Sequence, residues 1–271
     1  MPPSAAVNYH SYLALDEILG AQRPRSEEHD ELLFIVVHQV YELWFKQLLH
    51  EGAHLQEQLE HGHGPRAGQT MRRILTILRT IVTQLDVLET LTPVQYTGFR
   101  GRLETASGFQ SAQFREIEFL CGAQKTAYLR FLEPTAAERV RLEERLARPT
   151  LYDALKGVLG RRGFAVSPPE ALVQTFRTIY ERDEEFYDLY LLLEEFIEFD
   201  ERFLLWRGRH VRMVERMIGM KPGTGGSLGV AYLEKTLSKK FFPELWEVRT
   251  YLGGAAYGRA DPPLPAPAPS A

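Results

Sequence analysis

His50-Glu-Gly-Ala-His54 is the most conspicuous chemical pattern in the sequence. On a helix, two histidines four residues apart share a face and can bind zinc, while the intervening glutamate polarises a water. Helical arithmetic opposes that use. At ~100° per residue, Phe34, His38, Tyr41, Phe45, Leu48, Leu55 and Leu59 form one apolar stripe. His50 and His54 lie about 120–160° from its centre, so they are expected to face solvent. Gly52, inside the motif, weakens a helix where a zinc site needs rigidity, and no third ligand follows at a fixed spacing. A zinc hydrolase using His50, Glu51 and His54 therefore stands as an alternative of a different class. Glu51-x-x-His54 and Glu60-x-x-His63 resemble ligands of a di-iron bundle, but that chemistry needs one motif on each of two facing helices. His61 and His63, beside Gly62 and Gly64, read as a turn.

His38 and His210 carry a different signal, because each sits on the apolar face of its helix. Phe199, Phe203, Trp206, His210, Met213 and Met217 recur at helical spacing and would line an apolar wall. One histidine in such a wall is ordinarily a satisfied core residue. Two, on separate aromatic-rich helices, suit a pocket for a flat apolar cofactor, and haem iron is commonly held by one neutral imidazole. Cys-x-x-Cys-His is absent, so any haem would be non-covalent. Arg100, in Gln95-Tyr-Thr-Gly-Phe-Arg100-Gly101 between two helices, could clamp a carboxylate or form a surface ion pair. Gly223-Thr-Gly-Gly-Ser227 lacks the lysine and the preceding strand of a phosphate loop. It reads as a linker, or as a glycine-rich lid in which Thr224 offers a hydroxyl.

The elements that have to position these side chains are helices throughout. The pattern predicts helices over 26–59, over 70–91 with a stop at Thr92-Pro93, and over 107–132 with a stop at Pro134. Residues 134–165 read as short charged helices in a peripheral insertion. Ser167-Pro-Pro-Glu170 has a capping serine, a proline for the first turn and a glutamate three residues on. The helix it opens is expected to break near Asp183 and to stop at Gly219. A last stretch covers 232–252, interrupted near Pro243. The prediction is a single all-α domain over 9–252, a helical bundle with a flexible start, 1–8, and a disordered proline-rich tail, 258–271.

Composition narrows the function classes. The chain has 271 residues, is 44% hydrophobic and 25% charged, and carries a formal net charge of −4. Its 32 basic residues are offset by 36 acidic ones, which argues against nucleic acid or an anionic membrane as partner. No run approaches the ~18 apolar residues of a membrane span, and the first eight residues have no signal-peptide character. Cys121 is the sole cysteine, so an internal disulfide is excluded and a reducing, cytoplasmic compartment is expected.

Four segments carry a family resemblance. They are Tyr9-His-Ser-Tyr-Leu-Ala-Leu-Asp16, the long run from Glu28-His-Asp-Glu-Leu-Leu-Phe34 through His38-Gln-Val-Tyr-Glu-Leu-Trp-Phe-Lys-Gln47, Ala106-Ser-Gly-Phe-Gln-Ser111 and Gly223-Thr-Gly-Gly-Ser227. In this order, spanning about 9–252, they resemble the tryptophan 2,3-dioxygenase family. The resemblance implies an all-helical, homotetrameric haem b enzyme, with ferrous iron in the active state. Its reaction would insert O₂ across the indole C2–C3 bond of L-tryptophan to give N-formyl-L-kynurenine, the first step of tryptophan degradation by the kynurenine pathway. By motif position His210 would be the proximal iron ligand. His38 would be the distal histidine facing the indole N–H, as base or as hydrogen-bond partner. Arg100 would bind the substrate carboxylate, and Thr224 its ammonium and carboxylate. Phe34 and Tyr96 would line the indole pocket, with Ser107, Trp206 and Phe34 near the haem. Tyr9, Tyr12 and Leu13 would reach the site of a neighbouring subunit. An indoleamine 2,3-dioxygenase-like enzyme of broader substrate range is the alternative within the same chemistry.

Overall fold

The computed structural model describes residues 7–62, 64–123, 126–133, 135–226 and 228–253. The expected tail, 258–271, lies outside them, as do residues 1–6 of the expected flexible start, His63 and Ser227. The described residues form helices and no strand, as the periodicity predicts. In chain order the helices are α1 (Tyr9–Tyr12), α2 (Leu15–Leu19), α3 (Glu31–Glu60), α4 (Gly64–Leu88), α5 (Pro93–Arg100), α6 (Ala112–Leu120), α7 (Ala137–Leu146), α8 (Leu151–Arg161), α9 (Pro169–Glu181), α10 (Tyr187–Ile218), α11 (Val230–Glu234) and α12 (Pro243–Glu247).

Three long helices make the frame: α4 packs against both α3 and α10, while α6 and α8 flank α3. The α3 stripe of Val37, Tyr41, Phe45, Leu48, Leu55 and Leu59 shares one core with Met71, Ile74, Leu78 and Ile81 of α4 and Leu193, Phe196 and Phe203 of α10. Each such side chain stabilises the fold by about 1.5–3 kcal/mol on burial, so this stripe holds the frame together. By length and composition α3 is apolar enough to cross a membrane. In the bundle it packs against α4, α6 and α8, and it buries Glu51 in an ion pair with Arg73 at 2.9 Å. Gly52 has a packing reason: a Cβ there would lie 2.5 Å from Leu120 Cδ2, so glycine is what lets α6 approach α3.

Two buried carboxylates position the frame. Glu31, at the first turn of α3, accepts from Arg25 N and Ser26 N, both at 2.8 Å, and ties the preceding loop to the helix. Asp200 of α10, completely buried, accepts from Phe241 N at 2.9 Å, Phe242 N at 3.1 Å and Trp246 Nε1 at 3.0 Å. That contact pins the segment leading into α12 onto α10.

The elements differ from the pattern in four places. Thr92-Pro93 opens α5 in addition to following α4, because Thr92 and Gln95 form a reciprocal capping box with Pro93 in the first turn. Arg100 therefore ends a helix and does not sit in a loop between two. The stretch 107–132 is broken, with α6 confined to Ala112–Leu120 between 3₁₀ turns, because Ser107 and Ser111 each cap a new start. Ser167 is not a cap: Pro168 is the N-cap, held extended by the proline after it, and α9 begins at Pro169. Of the stretch expected at the periphery, α7 packs on α6, but α8 buries Leu151, Tyr152, Leu155 and Leu159 in the main core, against α3. The break after Glu181 and the stop at Gly219 fall where expected.

Candidate active site

One cavity collects the chemistry. It is walled by Phe34, His38, Tyr41 and Phe45 of α3, by Trp206, His210, Met213 and Met217 of α10, and by Tyr96 and Arg100 of α5. The connections around Ser107 and Thr224 close the remaining sides. Of the residues singled out in the sequence, Phe34, His38, Tyr96, Arg100, Ser107, Trp206, His210 and Thr224 are all brought together here. Tyr9, Tyr12 and Leu13 are not. They lie on and just after α1, and both tyrosines are 77% exposed.

The two histidines are prepared differently. His38 Nδ1 lies 2.7 Å from the carbonyl oxygen of Phe34. A carbonyl only accepts, so Nδ1 carries the proton and Nε2 is left with its lone pair. Burial lowers the His38 pKa, against the opposing pull of the Phe34 carbonyl and of Glu42, one turn along. His210 makes no hydrogen bond among the described residues and lies stacked on Trp206, ring centroids 5.1 Å apart and planes 11° from parallel. Burial pushes its pKa down to about 4, with His38 adding to the effect. It is thus neutral at physiological pH, the form that ligates a metal.

Aromatic rings continue between these poles. Phe34 packs against His38 with centroids 4.1 Å apart, Tyr96 and Phe99 complete that end, and Phe114 stands 5.2 Å from Trp206. At the mouth, Arg100 Nη2 donates to the Pro222 carbonyl at 2.7 Å, and its buried Nε has no partner among the described residues. Thr224 Oγ1 donates to the Ala106 carbonyl at 2.5 Å, which docks the glycine-rich segment on the 105–107 turn. Gly225 makes that docking possible, since a Cβ there would meet Ser107 Cβ at 2.7 Å.

Pattern reading missed Glu42, Arg115, Glu118 and Arg207 on the cavity wall, where Glu118 pairs with both Arg115 and Arg207. Glu42 could have been found, one helical turn beyond His38. Arg115 and Glu118 could not, because only the docking of α6 beside α3 brings them to the cavity. The His50–His54 pattern stays outside: both histidines are exposed, and Glu51 is engaged by Arg73 at 2.9 and 3.0 Å. Among the described residues no cluster of three or more His, Cys, Asp or Glu could hold a metal ion.

Fold and site together define an all-α protein with two half-buried histidines, on two long helices, facing one aromatic-lined cavity. The tryptophan 2,3-dioxygenase family model matches residues 3–150 and 161–252, so the chain belongs to the tryptophan 2,3-dioxygenase family. It is 54% identical over 258 residues to the tryptophan 2,3-dioxygenase of Anaeromyxobacter sp. (strain K), covering 91% of this chain and 96% of that one. It is 50% identical to that of Herpetosiphon aurantiacus, with 92% and 100% covered, and 40% identical to that of Caulobacter vibrioides, with 91% and 98% covered.

Proposed function

We propose that this protein is a haem-dependent tryptophan 2,3-dioxygenase, adding both atoms of O₂ across the indole C2–C3 bond of L-tryptophan to give N-formyl-L-kynurenine, the entry step of tryptophan degradation. The observation that carries the reading is His210: uncharged, without a hydrogen bond among the described residues, and facing the same aromatic-lined cavity as His38. Such a donor in an aromatic slot fits haem b, non-covalently bound through His210, with Trp206, Phe34 and Ser107 around the ring. When bound in the ferrous state, haem supplies the activation of O₂ that an indole alone cannot achieve.

The chain's own residues orient and enclose. Nε2 of His38 is the acceptor left for an indole N–H. An indole is a very weak acid, so accepting this hydrogen bond asks less of His38 than removing the proton. Phe34 and Tyr96 pack the indole and exclude water. The unpartnered Nε edge of Arg100 is available to a carboxylate. The Thr224 hydroxyl, donating to Ala106, keeps its lone pairs for an ammonium. Gripping both charges on one carbon selects the L-amino acid and holds C2 and C3 in place. Exposed Tyr9, Tyr12 and Leu13 support a homotetramer in which α1 completes a neighbour's site. The single main core supports one domain over 9–252, and a lone, buried Cys121 suits the cytoplasm.

The test is the absorption spectrum of haemin-reconstituted protein, ferric and then dithionite-reduced, with and without L-tryptophan. A stoichiometric Soret band that shifts on adding L-tryptophan is expected. Folded protein that binds no haem would overturn the proposal. Equal turnover of D-tryptophan or tryptamine would move the assignment to the broader indoleamine enzyme.

A further inference from the structure

We propose that Arg115 is a second carboxylate clamp of the cavity, distinct from Arg100, holding one propionate of the haem and so fixing which way the ring enters; this rests on the haem reading above. Arg115 lines the cavity from α6, with its side chain only 14% exposed. Its guanidinium lies among three aromatic rings, 5.3 Å from the centroid of Phe109, 5.5 Å from that of Phe114 and 5.3 Å from that of Tyr128. Nη1 donates to Glu118 Oε2 at 2.6 Å. Nε is buried without a partner, and no described residue accepts from Nη2. Nε–H and Nη2–H point the same way and form the fork that receives both oxygens of a carboxylate. The acids nearby do not fill it. Glu118 is shared between Arg115 and Arg207 Nη2, the latter at 3.2 Å, which leaves two guanidiniums to one carboxylate. Glu42, the other acid on this wall, is taken by Gln113 at 2.8 Å. A buried, surplus positive fork in an otherwise aromatic slot calls for a ligand that is flat, apolar and carries a carboxylate at one edge.

The experiment measures how fast reconstituted protein loses haemin to excess apomyoglobin, and repeats this with haemin dimethyl ester. Arg115→Gln is expected to release haemin about 10–100-fold faster than the parent, the loss of a charged bidentate contact. Arg115→Lys, which keeps a charge beside Glu118 but has no fork, should fall between. Haemin dimethyl ester should leave parent and variants at one common, fast rate. Parent rates for haemin in both variants, or equal acceleration for haemin and its ester, would overturn the clamp while leaving the haem reading intact. A parent that takes up no haemin overturns both. If circular dichroism shows Arg115→Gln unfolded, Arg115→Lys and the parent's own preference for haemin over its ester decide the question.

Discussion

The two halves of α3 each carry histidines, and they have opposite fates. In the first half His38 spends Nδ1 on the Phe34 carbonyl and keeps Nε2 for the cavity. In the second half His50 and His54 are exposed, and His54 is engaged by Gln58 at 2.9 Å. Glu51, the would-be base between them, is only 3% exposed and is consumed by Arg73. The half with the recognisable metal motif has its polar groups satisfied by neighbours. The half with one unremarkable histidine has a lone pair left over in an aromatic-lined cavity. What marks a site here is the donor or acceptor that packing leaves unspent, and that distinction is invisible to spacing.

Substitutions can break this contrast, beginning with the largest effect. His210→Ala is expected to abolish haem retention and turnover together; a normal haem spectrum with full activity would refute the assignment. Arg100→Ala should raise KM for L-tryptophan about 10–100-fold with haem still bound, since a charged hydrogen bond contributes about 1.5–3 kcal/mol. Steady-state kinetics showing an unchanged KM would remove Arg100 from the substrate site. In the second half of α3, Glu51→Gln should cost about 1–2 kcal/mol of stability through loss of the Arg73 pair, with kcat/KM untouched. His50→Ala and His54→Ala should shift stability by no more than about 0.5 kcal/mol, and added zinc should not raise Tm. Zinc-dependent activity lost in these variants would reverse the whole comparison.

A pH-dependent test turns burial around. The same desolvation that lowers the pKa of His210 raises that of Glu195, on the same helix, to about 7, with Glu198 adding and Arg72 opposing. A carboxyl raised in the folded state contributes stability that is fully present below its unfolded value of 4.5 and lost as pH rises through about 7. Glu195→Gln should therefore stabilise the protein at pH 8, by about 1 kcal/mol after discounting for its half-exposed site, and change little at pH 5. Thermal melts at the two pH values check this. Equal shifts at both would mean that the carboxyl is not perturbed.

Local pattern already determined much of this protein. An apolar stripe repeating with the helical period placed Phe34, His38, Tyr41 and Phe45 on one face of α3, and the four-residue step from Trp206 to His210 stacked those two rings. Both follow from a geometry that involves a residue and its next turn only. The break after Glu181 and the stop at Gly219 were legible for the same reason. Tertiary structure decided the rest. Whether α8 was core or periphery depended on which face α3 had free, and Gly52 had meaning only once Leu120 came against it. Arg115, Glu118 and Arg207 come from two helices distant in sequence, and their surplus charge exists only where α6 and α10 meet. Periodicity is a property of neighbours in the chain, so the sequence displays it. An unspent hydrogen bond depends on every group that could have taken it, and those arrive from segments a hundred residues apart.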